Sequence, residues 1–491
     1  MKKITFLLTF FVSISYAQSI KTDYGVYPEP NPPALPAAGG TFIDSVFGTS
    51  ILRVTDLNDG TDNHQSYSYW PSFNKNSTLL YISNVSGTPT LYNFDTLGFS
   101  ISNKRQMFPS NPPGDGAPNA EDAIWSGVHG DQMLCHTSQK LYSYNITTGL
   151  YTLLHNFGTA YPNIYLQQMS RSLNDSVFGF TYKENINYTN VGYLAYRASN
   201  NHVDTANMPS LDEVQVDKTG NYLVIKTGNS GAGAIEVEVR NLLTGHIDYL
   251  TDNGPDFAPG HSDNGMSCVV GADNWNNTYT YRTLANPHSW YDIIDYNNDW
   301  SLGTHLSMLA NDESWILISS FIANTLPSNG IFVDEIYQVA TDGSKSVRRL
   351  CHTHSDYLNQ TGGNGYWSMP KANISRDGKY AVFTSNWGST TSRDVFVLQI
   401  PAVNTTDIFK KDNTQFVVAP NPANEKIRIT FPKEKIGQKI TTSLSDVFGR
   451  IIQQGDYLID ANGFEINLSA LEEGIYFVRA GNTVQKVIFT K

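Results

Sequence analysis

The chain has 491 residues, of which 12% are aromatic and only 16% charged. Lys and Arg number 33 against 45 Asp and Glu, a formal net charge of −12, which argues against nucleic acid as a partner. So long a chain exceeds one ordinary core, and its 28 tyrosines and polar, aromatic composition suit an extracellular β protein rather than a disordered chain.

Met1–Gln18 carries two lysines, an apolar run from Ile4 to about Val12, and Ser15-Tyr16-Ala17. This pattern predicts a secretory signal peptide, residues 1–17, cut after Ala17. The run is well short of the ~20 residues that span a bilayer, and no later stretch is longer, so no transmembrane segment is expected. Cys135, Cys268 and Cys351 fall in different repeats of the pattern described below. They read as small buried residues rather than a disulfide framework.

Residues 18–40 are Pro-rich and predict an extended lead-in. The strand-like TFIDSVFGTSILRVTD (41–56) follows, and Ile51–Thr55 is placed to close a ring by pairing with the last repeat. Repeats are anchored at Trp70, Trp125, Met169, Val214, His261, His305 and Pro370, most of them spaced near the ~40–45 residues of a propeller blade. Each anchor leads into turn residues and an apolar strand, as in FNKNSTLLYIS and ISRDGKYAVFTS. In the last copy, the Asp377-Gly378 turn separates Lys371–Ser375 from Lys379–Ser385, and Asp394–Ile400 supplies a third strand. The expected fold is all-β: a seven-bladed β-propeller over 41–401. Two long intervals mark insertions, Ser110–Asn119 and Ser355–Gly365, where a binding rim would be built.

Residues 402–415 read as a polar linker, and 416–491 as short strands of a small immunoglobulin-like β-sandwich. The segments APNPA (419–423), DVFGR (446–450), LSAL (468–471) and GIYFV (474–478), with a basic, apolar end at Lys486–Lys491, resemble the type A sorting domain of the type IX secretion system. That resemblance implies a Bacteroidota protein exported to the periplasm and carried across the outer membrane by the type IX machinery. Removal of the domain and release, or display at the cell surface, would follow.

His261 and His305 share one register at the start of successive inner strands, so both imidazoles are placed to face the propeller axis. His352 and His354 alternate in CHTHSDY, which would put them on one face of an extended run. The four predict a metal site or an acid–base cluster, although hydrogen bonding between blades would serve each of them equally well.

The last three blades resemble the propeller lyases that cleave uronate polysaccharides, the oligogalacturonate-lyase group related to TolB-type propellers. The matching features are GHSD at His261, the strand led by His305, and PKANISRDGKYAVFTSNWG, ending in Arg393-Asp394-Val395-Phe396. The chain departs from that group where its last inner strand carries metal-binding histidines, for here the stretch holds Met369 and Lys371. The resemblance implies β-elimination on an anionic polysaccharide: a base removes the C5 proton, a cation or one divalent metal ion stabilises the resulting charge, and an acid assists the leaving oxygen. On this reading His64, Arg171, His261 and His305 are catalytic, and His305, His352 and His354 hold the metal. Trp70, Trp125, Trp367 and Tyr67 would stack on sugar faces. In a chain this acidic, such a substrate needs a locally basic pocket.

Two alternatives stand beside this reading. One is a non-catalytic surface propeller that binds glycan or protein; the other is a glycoside hydrolase, which requires two acids facing each other across the channel. The sequence contains no Gly-rich phosphate loop, GxSxG elbow, HExxH or EF-hand loop.

Overall fold

The computed structural model describes residues 20–184, 189–229, 231, 233–251, 261–273, 278–295, 299, 301–359, 365–402, 416–432, 435–446, 451–480 and 483–491. The signal peptide, residues 403–415 of the expected linker, Gln360–Asn364 of the second insertion and Val447–Arg450 of the sorting motif lie outside the described residues. The chain divides into two compact units, Met1–Pro401 and Ala402–Lys491.

Seven antiparallel sheets make up the first unit, six of four strands and one of five among the described residues. Blade six shows the arrangement: Leu302–Ser307 is innermost, followed outward by Trp315–Ile322, Glu335–Ala340 and Val347–His352. Hairpins are cut by turns that match the strand twist. Val85 pairs with Thr88 across Ser86 and Gly87, both at positive φ (46° and 89°), as a two-residue type I′ loop demands.

The ring closes through the N-terminal segment. Ser50–Arg53 pairs with Asp394–Gln399 of blade seven, with Ile51 opposite Leu398, and Thr41–Ile43 adds a fifth strand outside it. Closure leaves no open edge between the first and last blades. An ion pair fastens it, Arg53 to Asp394 at 2.6 Å, with the Thr55 hydroxyl donating to the same carboxylate. The core lies between neighbouring sheets. Ile51, Leu317, Ile336, Cys351, Phe383 and Leu398, for example, form one cluster between blades six and seven. All three cysteines are buried and free.

Three local features add to or differ from the sequence-based expectations. The Pro-rich lead-in is extended but fastened: Lys21 bridges Arg349, Tyr24 donates to the Lys345 carbonyl, and Trp387 Nε1 donates to the Pro33 carbonyl. In blade one the inner ladder forms at Asn63–His64 and resumes at Phe73, so residues 65–72 stand opposite only 81–83 and bulge into the channel. Trp70 therefore sits in this bulge instead of opening an inner strand. In the C-terminal unit the sequence reading misses the edge strand Ile451–Leu458, whose apolar residues Ile451, Ile452 and Leu458 are exposed and give no inward alternation.

The C-terminal unit is a β-sandwich. One sheet contains Val417–Ala419, Lys426–Thr430 and Phe464–Asn467; the other orders Ile451–Leu458, Lys439–Asp446, Gly474–Ala480 and Thr483–Phe489. Ile427, Ile429, Leu444, Val478 and Phe489 bury their side chains in its core.

Candidate functional site: an acidic axial cavity

Because the inner strands converge on the hub, residues of blades one and three to six, with the approaches to blades two and seven, line one cavity of about 690 Å³. The bulge of blade one supplies Tyr67, Tyr69 and Trp70. The two insertions also contribute, through Asn119 at the end of the first and Tyr366 immediately after the second. Beyond Tyr69 and Trp70 lies a separate cavity of about 70 Å³, so these two side chains act as a partition across the channel.

Carboxylates dominate the lining: Glu121, Asp122, Asp212, Glu213, Glu236, Asp273 and Asp299, with Lys226 as the one lysine among the described lining residues. Lys226 is already ion-paired with Glu213, whose Oε2 also accepts from the Tyr69 hydroxyl at 2.6 Å. Burial opposes ionisation of Glu213, but the Lys226 charge and these two bonds outweigh it and hold the carboxyl below its usual range. Asp122 accepts from His136 (2.9 Å) and from the Met169 amide (3.0 Å). Glu121 and Asp212 are different. Desolvation raises both above the usual carboxylate values, and the like charges of Asp122 and Glu213 add to the effect.

His261 and His305 meet on this wall. Their rings stack at 5.2 Å between centroids and 18° between planes, and the Thr304 carbonyl accepts from His261 Nδ1. His305 also stacks on Phe321 and meets the edge of Tyr67 at 5.0 Å. It is only 2% exposed, and its Nδ1 has no hydrogen-bond partner among the described residues. Burial, then His261 and Lys371, push its pKa well below the ordinary value, so the imidazole is neutral at pH 7.

Sequence reasoning noted Lys371 only as a departure from a motif, yet it is the most unusual cation near the site. It is fully buried, its backbone takes φ +42°, and its Nζ has no hydrogen-bond partner among the described residues. The ammonium lies 3.8 Å from the Tyr366 ring centroid, 4.3 Å from Trp367 and 5.7 Å from Tyr67. Burial pulls its pKa down to about 7. A lysine inside an otherwise apolar inner-strand run is the signal that could have drawn attention to it.

The other expected residues are not gathered here. His352 is on the outermost strand of the sheet whose innermost strand bears His305; two strands intervene, so at ~4.8 Å per strand their backbones are about 14 Å apart. The His352 ring is bonded to the Tyr27 carbonyl, and His354 lies 3.3 Å from Glu29. Their rings are 6.2 Å apart, and His354 has left the strand at φ +50°, so simple alternation does not describe the pair.

Among the described residues no three His, Cys, Asp or Glu side chains converge as a metal site, so the proposed set His305, His352 and His354 does not fit a shared ion. Arg171 lies beyond the partition, donating to the Trp125 and Ser172 carbonyls. Trp125 is buried in the core with its Nε1 on the Ser72 carbonyl, and offers no face to a sugar. Trp70 donates to the Met169 carbonyl and keeps one side on the cavity. Trp367 is covered by His64, stacked at 4.0 Å, and by Lys371. His64 itself is buried outside the cavity lining, and desolvation lowers its pKa to about 4. Only Tyr67, Trp70, His261 and His305 of the expected set share the axial cavity.

Residues 417–491 match the secretion system C-terminal sorting domain family. This domain marks the chain for type IX secretion, to the cell surface or beyond. No helix among the described residues is long and apolar enough to cross a membrane. No curated protein matches the chain. Among solved structures, an oligogalacturonate lyase from Vibrio parahaemolyticus superposes with a TM-score of 0.54 at 11% identity, covering 74% of this chain and 96% of the lyase. PorZ, a surface component of the type IX secretion system of Porphyromonas gingivalis, gives 0.40 at 12% identity, covering 90% of this chain and 63% of PorZ. TolB from Acinetobacter baumannii gives 0.33 at 14%, covering 56% and 64% respectively. The first likeness supports the propeller fold; the other two are too distant to add to it.

Proposed function

We propose that the propeller is a secreted saccharide-binding protein that receives a glycan in its axial cavity. The observation that carries this reading is the lining of the cavity. Carboxylates, the amides of Asn119, Gln167 and Gln168, and the rings of Tyr67 and Tyr366 border one space of about 690 Å³. Such a mixture offers hydrogen bonds to hydroxyl groups and apolar faces to pyranose rings.

The lining disfavours a polyuronate. Two like unit charges 4 Å apart repel by ~4 kcal/mol at an effective dielectric constant of 20. A uronate carboxylate would meet several such neighbours, and Lys226 is already engaged by Glu213. Calorimetric titration of the full chain with neutral, cationic and uronic oligosaccharides tests the reading. Saturable binding to at least one saccharide class, lost when Tyr366 and Gln168 are both replaced by Ala, is the expected result; no binding to any class overturns it.

A second reading, β-elimination on uronate, is favoured by one observation. His305 is a neutral imidazole on the cavity wall with an unpaired nitrogen, as a proton-abstracting base would be. Since the metal set does not converge, this reading depends on the chain's own groups. Pectic, ulvan-like or alginate-like polyuronates would then yield unsaturated products absorbing in the ultraviolet, and His305→Ala would abolish them. No absorbance with any polyuronate removes this reading and leaves saccharide binding intact.

A further inference from the structure

We propose that the saccharide is cationic, an oligosaccharide of amino sugars, and that Glu121 and Asp212 receive its ammonium groups. This rests on the reading of the axial cavity as a saccharide site, and it names the substrate class.

Charge accounting leads to these two residues. Glu213 is paired with Lys226 and Asp122 with His136, Asp299 accepts from Ser328 (2.7 Å) and the Asn329 amide (2.9 Å), and Glu236 and Asp273 also have partners within the protein. Glu121 and Asp212 are both exposed to the cavity, and each has a like-charged neighbour in sequence. Neither forms an ion pair among the described residues, and only longer-range charges act on them, Lys371 and Lys183 on Glu121, Lys226 and His261 on Asp212, so the hub holds two carboxylates whose charge a ligand could complement. A neutral sugar leaves them without an ion pair and a uronate adds like charge, whereas an ammonium supplies the direct partner.

The dispersion of these groups separates an organic cation from a metal ion. Glu121 belongs to the approach to blade two and Asp212 to the inner strand of blade four, and no three ligating groups converge among the described residues. A chain of sugar rings can present ammonium groups to separated carboxylates; a single ion cannot.

Two further observations point to a ligand. His305 and Ser262 line the cavity at 2% and 5% exposure, and His305 Nδ1 and Ser262 Oγ have no hydrogen-bond partner among the described residues. Buried polar groups of this kind are commonly satisfied by a bound molecule or by water. Tyr366, 43% exposed, borders the same space and offers an aromatic ring to a sugar face.

The test is calorimetric titration of the full chain with glucosamine oligosaccharides, their N-acetylated counterparts and oligogalacturonate, at low and at physiological salt. N-acetylation keeps the ring and removes the charge. The free amine is expected to bind about tenfold tighter than the N-acetylated form, and added salt should narrow the gap. Asp212→Asn and Glu121→Gln are each expected to reduce that ratio, and the double variant to bring it to one. Both sites are exposed, and a thermal melt verifies folding of each variant. Equal affinity for free and N-acetylated forms overturns the amino-sugar assignment while the saccharide reading stands. Preferential binding of oligogalacturonate also overturns the assignment, and no binding of any class overturns both.

Discussion

His305 and His352 stand at opposite edges of one four-stranded sheet, the first at the hub and the second at the rim. Strand spacing alone prevents them from sharing an ion. Dialysis of the purified protein against a chelator is therefore expected to change neither its melting temperature nor its saccharide affinity. Retention of one divalent ion per chain, lost in His305→Ala, would contradict this.

Lys371 gives a stability prediction with a definite sign. Its pKa falls from 10.5 in the unfolded chain to about 7 in the folded one, so folding favours the neutral amine. Above pH 10.5 the residue is neutral in both states and costs nothing on this account. The cost grows as pH falls through the window between the two values and is complete below pH 7. Lys371→Met should therefore be more stable than the parent by about 2–5 kcal/mol at pH 6, with the gain shrinking toward pH 10. Urea unfolding at both pH values measures it, and a variant less stable at pH 6 would mean that the three aromatic rings more than compensate for burial.

The lead-in should loosen in alkali. Glu29 accepts from the His354 amide at 2.7 Å, and burial followed by the negative charge of Asp334 raises its pKa to about 8. Asp44, His352 and His354 are the other titratable groups facing it. A carboxyl raised from 4.5 contributes no penalty while protonated in both states, and an increasing one as pH rises toward 8. Hydrogen exchange in residues 20–35 should therefore quicken several-fold between pH 5.5 and 8.5, an effect that Glu29→Gln removes. A pH-independent opening rate, after correction for intrinsic exchange, would rule this out.

Ring closure concentrates on Asp394. Its carboxylate takes Arg53 at 2.6 Å and the Thr55 hydroxyl at 2.9 Å, and Arg53 is itself nearly buried. Asp394→Ala leaves that guanidinium without its partner, and a loss of about 3 kcal/mol in denaturant unfolding is expected. Arg53→Met combined with Asp394→Leu should recover much of it, because the pair rather than either charge is at issue; failure to recover would assign the loss to blade packing.

The seven blades and the sandwich motifs are legible in the chain because they depend on neighbours in sequence. The Asp377-Gly378 turn and the run Tyr380–Ser385 announce a hairpin wherever they occur, and APNPA and GIYFV sit at fixed spacing within one short domain. The pairing of Ile51 with Leu398 is also legible, since a ring of blades needs its first strand beside its last. The strand Ile451–Leu458 is not, because an exposed edge strand has no buried face to set its pattern.

The sequence by itself therefore determines a closed β-propeller with a sorting sandwich, and brings His261 and His305 to the same place. Only the tertiary structure decides what surrounds them. Arg171 and Gln167 share one inner strand, Ile164–Arg171, yet lie on opposite sides of the partition formed by Tyr69 and Trp70, because 65–72 bulges into the channel. The acidity of the cavity is likewise invisible in a net charge, which sums over the whole chain. It arises because Glu121, the adjacent pair Asp212 and Glu213, and Asp273 come from three distant stretches of the chain and are turned toward one hub, where their charges are felt together.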